Sequence, residues 1–407
     1  MITVEKAVLY LSVGVVLCAC NTTENKKSVY WENAPVVAER VAMEHGELID
    51  FKPELLKDTI VLPLSYFIEE PQVVKLEDSD EALISSMQSV VMSDNYFLIV
   101  TGNTVPCKLF DKKGKFIATI GSIGGGPGEY NHVGFCRIDE KEEKIYLFSS
   151  NTELINIYDF SGAAIGVINL PRKIGSCYFQ FEGDKVHVVT QPSGSRQPLA
   201  NAWTQDREGV LLDSIPAPQL ILPSGLWGMQ FIAEERENPS VYFMTYPEGR
   251  VDSLYHVDFK EKRFIPRFTM DMNTLPKYAH LMREWPDHFV GSTSEEVSVV
   301  YYTEDGGTDR KMYGDKAKYY IVDKETLKGG YLRIEDDFYM GLKKGAPISM
   351  FSQGVLVRNV DPGNLAETLE KSLAISDLPE KLRTKLQATY DSIGEDDNNY
   401  IIYAKMK

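Results

Sequence analysis

Three stretches decide the fold: Leu109-Phe-Asp111-Lys-Lys-Gly114-Lys-Phe-Ile117, Ile157-Tyr-Asp159-Phe-Ser-Gly162-Ala-Ala-Ile165 and Thr204-Gln-Asp206-Arg-Glu-Gly209-Val-Leu211. Each has an aspartate three residues before a glycine. An Asp carboxylate placed there accepts from the backbone N–H groups that follow, and the glycine takes a positive φ without steric cost, so each stretch reads as strand, tight turn, strand. Val257-Asp258-Phe-Lys-Glu261 and Val322-Asp323-Lys-Glu-Thr326 keep the aspartate and lose the glycine. Working outward, β-branched and aromatic runs stand at 96–100 (YFLIV), 145–148 (IYLF), 186–189 (VHVV), 241–244 (VYFM), 297–302 (VSVVYY) and 355–357 (VLV). Most follow a polar turn such as Asp94-Asn95, as the second strand of a hairpin does. Their starts fall 41 to 58 residues apart. Repeated four-stranded units of that length are propeller blades, so the sequence predicts an all-β chain folded as a six-bladed β-propeller.

The ends predict how the ring closes. Residues 58–76 (DTIVLPLSYFIEEPQVVKL) precede the first complete unit, and the chain finishes on a lone strand at 400–406. An early outer strand that completes the last blade removes an exposed sheet edge. Between 357 and 400 lies the clear helical pattern: Leu365, Leu369 and Leu373 on one face, then Leu382, Leu386, Tyr390 and Ile393, with Asp377 as the expected cap of the second helix. This is a helical insertion in the last blade. The chain therefore divides into a signal segment (1–19), a tether and N-terminal segment (20–57) and the propeller (58–407), with its helical insert at about 363–393.

The signal segment carries Lys6, an apolar run from Ala7 to Leu17, and then Leu17-Cys18-Ala19-Cys20. The run is shorter than a membrane span and reads as a secretory signal. Its ending resembles a bacterial lipobox, which implies acylation of Cys20 and cleavage before it; the alternative is a plain secretory peptide whose apolar run ends in cysteine. Residues 21–28 (NTTENKKS) suit a flexible tether. No Asp follows Cys20, which bacterial sorting habits associate with an outer-membrane lipoprotein of the cell envelope.

With those two cysteines assigned to the signal and the lipid, Cys107, Cys136 and Cys177 remain. An odd count permits at most one disulfide, and all three lie in β-like runs as small buried hydrophobes.

The segment Phe116-Ile-Ala-Thr-Ile-Gly121-Ser-Ile-Gly124-Gly-Gly-Pro127-Gly-Glu129-Tyr130 resembles the signature of a family of six-bladed propeller lipoproteins with a GPGEY motif, related in shape to NHL-type propellers. The resemblance implies that fold and an envelope location; it implies no common activity.

The 43 Lys+Arg and 59 Asp+Glu of the 407 residues leave a net charge of −16, without a basic block. Nucleic-acid binders need a positive track to displace phosphate counterions, so such a partner is excluded. The glycine-rich loop is not a phosphate cradle, because Pro127 removes an amide and a strand, not a helix, follows. As a crossing between blades it comes near the channel mouth, where Glu129, Tyr130 and His132 are candidate ligand-facing residues. Two longer segments, 271–296 and 303–318, interrupt the blade rhythm. Trp285 in the first, like Trp227, is a candidate to stack on a sugar or peptide, against the alternative that it pins its own loop.

The histidines at 45, 132, 187, 256, 280 and 288 show no metal-ligand spacing, and there is no nucleophile elbow, so no catalytic residue, metal or cofactor is predicted. The expected function is a lipid-anchored, non-catalytic binding or scaffold module for a protein, peptide or glycan. The alternative is a propeller enzyme of lactonase or lyase type, which needs a metal cluster at the channel mouth.

Overall fold

The structure, a computed structural model, describes residues 29–407 apart from 85–88, 102–104, 193–199, 221–228, 233–238, 245–250, 272–278, 295–298, 303–307, 312–316, 343–350, 353 and 395. The signal segment, Cys20, the tether up to residue 28 and Trp227 lie outside the described residues.

Six sheets, each with four antiparallel strands, follow one another around the ring, and the protein is a six-bladed β-propeller. Blade 1 comprises Ser89–Met92, Tyr96–Val100, Cys107–Asp111 and Phe116–Ile120, and blade 2 comprises Val133–Asp139, Lys144–Ser149, Thr152–Asp159 and Ala164–Ile174. Blade 3 is Cys177–Glu182, Lys185–Thr190, Ala202–Asp206 and Leu211–Ile215. Blade 4 is built from Met229–Ile232, Ser240–Met244, Val251–Asp258 and Arg263–Asp271, and blade 5 from Ala279–Glu284, His288–Ser294, Lys318–Asp323 and Gly329–Glu335. Second strands read as unbroken apolar runs because both of their faces are covered: Phe97, Leu98 and Ile99, like Ile145 to Phe148, are wholly buried between neighbouring blades.

Blade 6 takes Phe351–Ser352, Val355–Val360 and Tyr400–Lys405 from the end of the chain and its fourth strand, Gln72–Lys75, from the beginning. Ile401 pairs with Val74, and Ile402 with Val73. The 58–76 segment thus holds two strands, since Thr59–Pro63 also runs parallel to Gly329–Glu335 as a fifth strand of blade 5. Gly46–Phe51 does the same beside Arg263–Asp271, with Ala38–Met43 beyond it, so blade 4 has six strands.

A polar latch holds the closure. Asn398 is buried; its Nδ2 donates to the carbonyls of Glu77 (2.7 Å) and Ala82 (3.0 Å), and its Oδ1 accepts from the N–H groups of Ile84 and Asn399. Asp397 accepts from Lys75 Nζ and Tyr400 Oη. Burial alone would raise the Asp397 pKa, but those hydrogen bonds win and bring it from 3.8 down to about 2. A carboxyl whose folded pKa is depressed stabilises the fold above its unfolded pKa and loses that contribution as pH falls through the folded value. The thermal midpoint of the native protein is therefore expected to fall faster than that of Asp397→Asn as pH drops from about 4 to about 2. Parallel curves over that range would show that the latch carries no proton-linked stability.

The insertion in blade 6 is a helical hairpin, α1 (Pro362–Leu373) and α2 (Glu380–Asp391). Asp361 caps α1 by accepting from Asn364 N at 2.9 Å. The expected cap at Asp377 does not form; Pro379 stands at the N-cap of α2 with no side-chain cap, and its ring fixes φ there instead. Leu365, Leu369 and Leu386 bury against Leu356, Tyr400 and Ile402 of blade 6.

In the repeated turns, Asp111 Oδ1 accepts from the N–H groups of Lys113 and Lys115, and Asp159 Oδ1 from those of Ser161 and Ala163. The glycines have a second duty. A Cβ on Gly114 would lie 1.9 Å from Lys75 O of blade 6, and one on Gly162 1.9 Å from Thr119 O of blade 1, so each turn presses on the outer strand of the blade before it. In blades 4 and 5 the positive φ moves one place on, to Lys262 (53°) and Leu327 (57°), which is why the glycine is lost there.

One strand expectation is corrected. Val299–Tyr302 forms a separate two-stranded sheet with Thr308–Lys311, and the second strand of blade 5 is His288–Ser294, inside the segment read as a long loop. That strand escapes an apolar-run search because of Gly291, Ser292 and Thr293; Gly291 is required, since a Cβ there would stand 2.2 Å from the Tyr320 ring.

Candidate functional site

A cavity of about 760 Å³ opens where blades 6, 1 and 2 meet. Val91, Met92, Ser93 and Asp94 reach it from the end of the innermost strand of blade 1, and Arg137 and Glu140 from that of blade 2. Lys112 comes from the Asp-Lys-Lys-Gly turn of blade 1; Tyr403 and Lys405 come from the terminal strand. Lys112 Nζ lies 4.3 Å from the Phe97 ring centroid and 4.5 Å from that of Tyr403. Burial lowers its pKa to about 8; Asp94 and Glu140 oppose the shift and Lys405 adds to it. Glu140 is committed to Asn95, accepting from its N and Nδ2 at 2.7 Å each, and Glu70 to Lys385 at 2.6 Å. Its volume falls within the range of small-molecule pockets, while its lining is more charged than theirs.

None of the four residues singled out in the sequence lines this cavity. The glycine-rich segment is the crossing from blade 1 to blade 2, with Ser122–Ile123 paired parallel to Glu129–Tyr130. Tyr130 is buried; its hydroxyl donates to Ile120 O (2.8 Å) and accepts from Cys107 N (2.7 Å), so it cements the crossing. Glu129 folds back onto Gly126 N at 2.8 Å. His132 is exposed, and its carbonyl accepts from Ser150 N. Trp285 is not on a binding loop: it sits in the turn between the first two strands of blade 5, 3% exposed, edge-on to Phe67 and Phe351, and cannot stack on a ligand from there. Cys107, Cys136 and Cys177 are free and buried.

Three histidines join interior networks. His280 contacts Asp252 (3.1 Å) and Tyr320 Oη (2.6 Å), while Tyr242 Oη also donates to Asp252. His256 meets Glu284 at 2.7 Å, and Lys324 meets the other carboxylate oxygen at 2.7 Å. Burial works against the Glu284 carboxylate, yet His256 and Lys324 hold its pKa far below the usual range. His288 stacks on Trp31 and lies 3.3 Å from Tyr66 Oη. These networks stitch blade 4 to blade 5 and the N-terminal segment to blade 5. Among the described residues no group of three or more His, Cys, Asp or Glu could hold a metal ion, and no helix is long and apolar enough to cross a membrane.

Residues 47–405 match the family described as a domain of unknown function, DUF4934. No curated protein matches the chain. A protein described as exported, from Bacteroides fragilis NCTC 9343, is similar in structure with a TM-score of 0.55 at 15% identity, over 86% of this chain and all of that one. A member of the DUF4221 family from Bacteroides vulgatus matches with a TM-score of 0.41 at 11% identity, over 84% of this chain and 97% of that one.

Proposed function

Taking as premise that the chain belongs to the DUF4934 family, we propose that it is a lipid-anchored propeller of the bacterial cell envelope, acting as a non-catalytic binding module whose ligand site is the cavity between blades 6, 1 and 2. The observation that carries the binding reading is that cavity, with two half-buried or exposed lysines directed at a space large enough for a sugar or short peptide. The anchor reading rests on the apolar run Ala7 to Leu17 followed by Leu17-Cys18-Ala19-Cys20, and the export of the similar Bacteroides fragilis protein agrees with it. Outer-membrane placement follows from the residue after Cys20, Asn21. The enzyme alternative of lactonase or lyase type needs three or more metal ligands converging on one point; among the described residues the acids around this cavity form no such group, and two of them, Glu140 and Glu70, are tied to Asn95 and Lys385.

One fractionation and binding experiment tests both parts. Cys20→Ala is expected to move most of the protein from the membrane to the soluble fraction and to abolish labelling by a fatty-acid probe. Unchanged partitioning would overturn the anchor. The native protein, solubilised in detergent, is expected to retain particular members of arrayed glycans or peptides; retention of neither class would overturn the binding module.

A further inference from the structure

The residue after the aspartate of each repeated turn is Lys112, Phe160, Arg207, Phe259 or Lys324 in blades 1 to 5, and all five lie against a ring. Phe160 meets Tyr96, and Phe259 meets His187. Arg207 covers Phe181, Lys324 covers Phe289, and Lys112 lies between Phe97 and Tyr403. Two of the three cations also have a carboxylate: Glu142 stands 3.6 Å from Arg207, and Glu284 2.7 Å from Lys324. Lys112 makes no ion pair among the described residues and faces the cavity instead. Lys405, across the same cavity, makes none either.

From this departure of one repeat from its siblings we infer that the cavity receives the carboxylate of an organic acid, ion-paired to Lys112 and Lys405. The inference rests on the reading of the cavity as the ligand site. The incoming carboxylate takes the place that Glu142 of blade 2 fills beside Arg207 and that Glu284 fills beside Lys324, and Val91, Met92 and Val355 give its carbon skeleton an apolar wall. A single negative charge suits the site better than a phosphate dianion, because Asp94 and Glu140 act on Lys112 at longer range and repel added charge. The titratable groups that line the cavity with Lys112 are Asp94 of its own blade, Arg137 and Glu140 of blade 2, Tyr403 and Lys405 of blade 6, and Glu69 and Glu70 just before that blade's outer strand, Glu70 being paired with Lys385. Since Lys112 loses its proton near pH 8 in the empty site, carboxylate affinity falls as pH rises through that value.

The test is calorimetric titration of the detergent-solubilised full-length protein with two matched pairs, glucuronate against glucose and N-acetyl-alanyl-alanine against its amide. In at least one pair the acid is expected to bind roughly tenfold tighter than its neutral partner at pH 7, and the advantage shrinks from pH 7 to 9. Lys112→Met, which keeps apolar contact with both rings, removes the advantage while the thermal midpoint holds. Lys112→Arg keeps the advantage and flattens its pH dependence, and this arm decides the matter if the methionine variant does not fold. Equal binding of acid and neutral partner, or an advantage surviving in Lys112→Met, would overturn the inference and leave the cavity as a ligand site. No binding by any of the four compounds would overturn both.

Discussion

Deletion of residues 58–76 is expected to abolish the cooperative thermal transition of this protein. The segment supplies Thr59–Pro63 to blade 5 and Gln72–Lys75 to blade 6. It also supplies Leu62, Leu64, Tyr66, Phe67 and Ile68 to the core under blades 5 and 6, every one of them buried. At about 2 kcal/mol for each large side chain removed from water, their loss costs on the order of 10 kcal/mol, which matches the whole stability of an ordinary domain. The deletion further bares the edge of the terminal strand Tyr400–Lys405, inviting edge-to-edge association. Circular dichroism melting and size-exclusion chromatography check this: the expected product is aggregated or melts without a sigmoid. A monomer melting within a few degrees of the native protein would show that the ring closes by other means.

Gly162→Ala is the point substitution with the largest expected effect. At φ +87° an alanine is strained by about 1 kcal/mol or more, and its Cβ would stand 1.9 Å from Thr119 O, a backbone atom that no rotamer change can move. Gly162 O also accepts from Gly121 N at 3.0 Å, so pushing the turn outward breaks the bond that joins blade 2 to blade 1. Strain, overpacking and one lost hydrogen bond together reach roughly 4 kcal/mol, which for a ring of this size is a fall in Tm of about 5 °C. Gly183 is the control: its φ is +59°, yet nothing lies within 4 Å of an added Cβ. Gly183→Asn is expected to melt within about 2 °C of the native protein. If Gly162→Ala also did so, the turn would not be an inter-blade contact.

The blades were legible in the sequence because their signals are local. An Asp two to four residues from the amides it caps, and a glycine at the positive φ, leave their mark within one turn, as at Asp111 and Gly114. Closure by an early strand was legible for a topological reason, since a ring needs its ends joined. What failed to show were features set by residues far apart in the chain. Nothing near Asn398 announces that its amide will meet Glu77 and Ala82. The strand His288–Ser294 is disguised because Tyr320 demands a glycine in its middle. Trp285 reads as a loop aromatic until Phe67 and Phe351 close over it. Lys112 reads as a solvated turn lysine, and only the approach of Tyr403 from the far end of the chain makes it half-buried beside a cavity. The signal that would have found it is comparative: five equivalent turn positions, one of them a cation with no acid partner.

The N-terminal strands lie on the ring in an order that bears on how the chain comes to be folded. Residues 46–51 pair with blade 4, 59–63 with blade 5 and 72–75 with blade 6, each some 220 to 330 positions away from its partner. Each early strand must therefore wait for a partner made much later, and the ring closes only when Gln72–Lys75 meets the terminal strand. Such long-range pairing slows folding. Blade 6 cannot be completed before Tyr400–Lys405 has been made, so the locked ring forms only once nearly the whole chain is available.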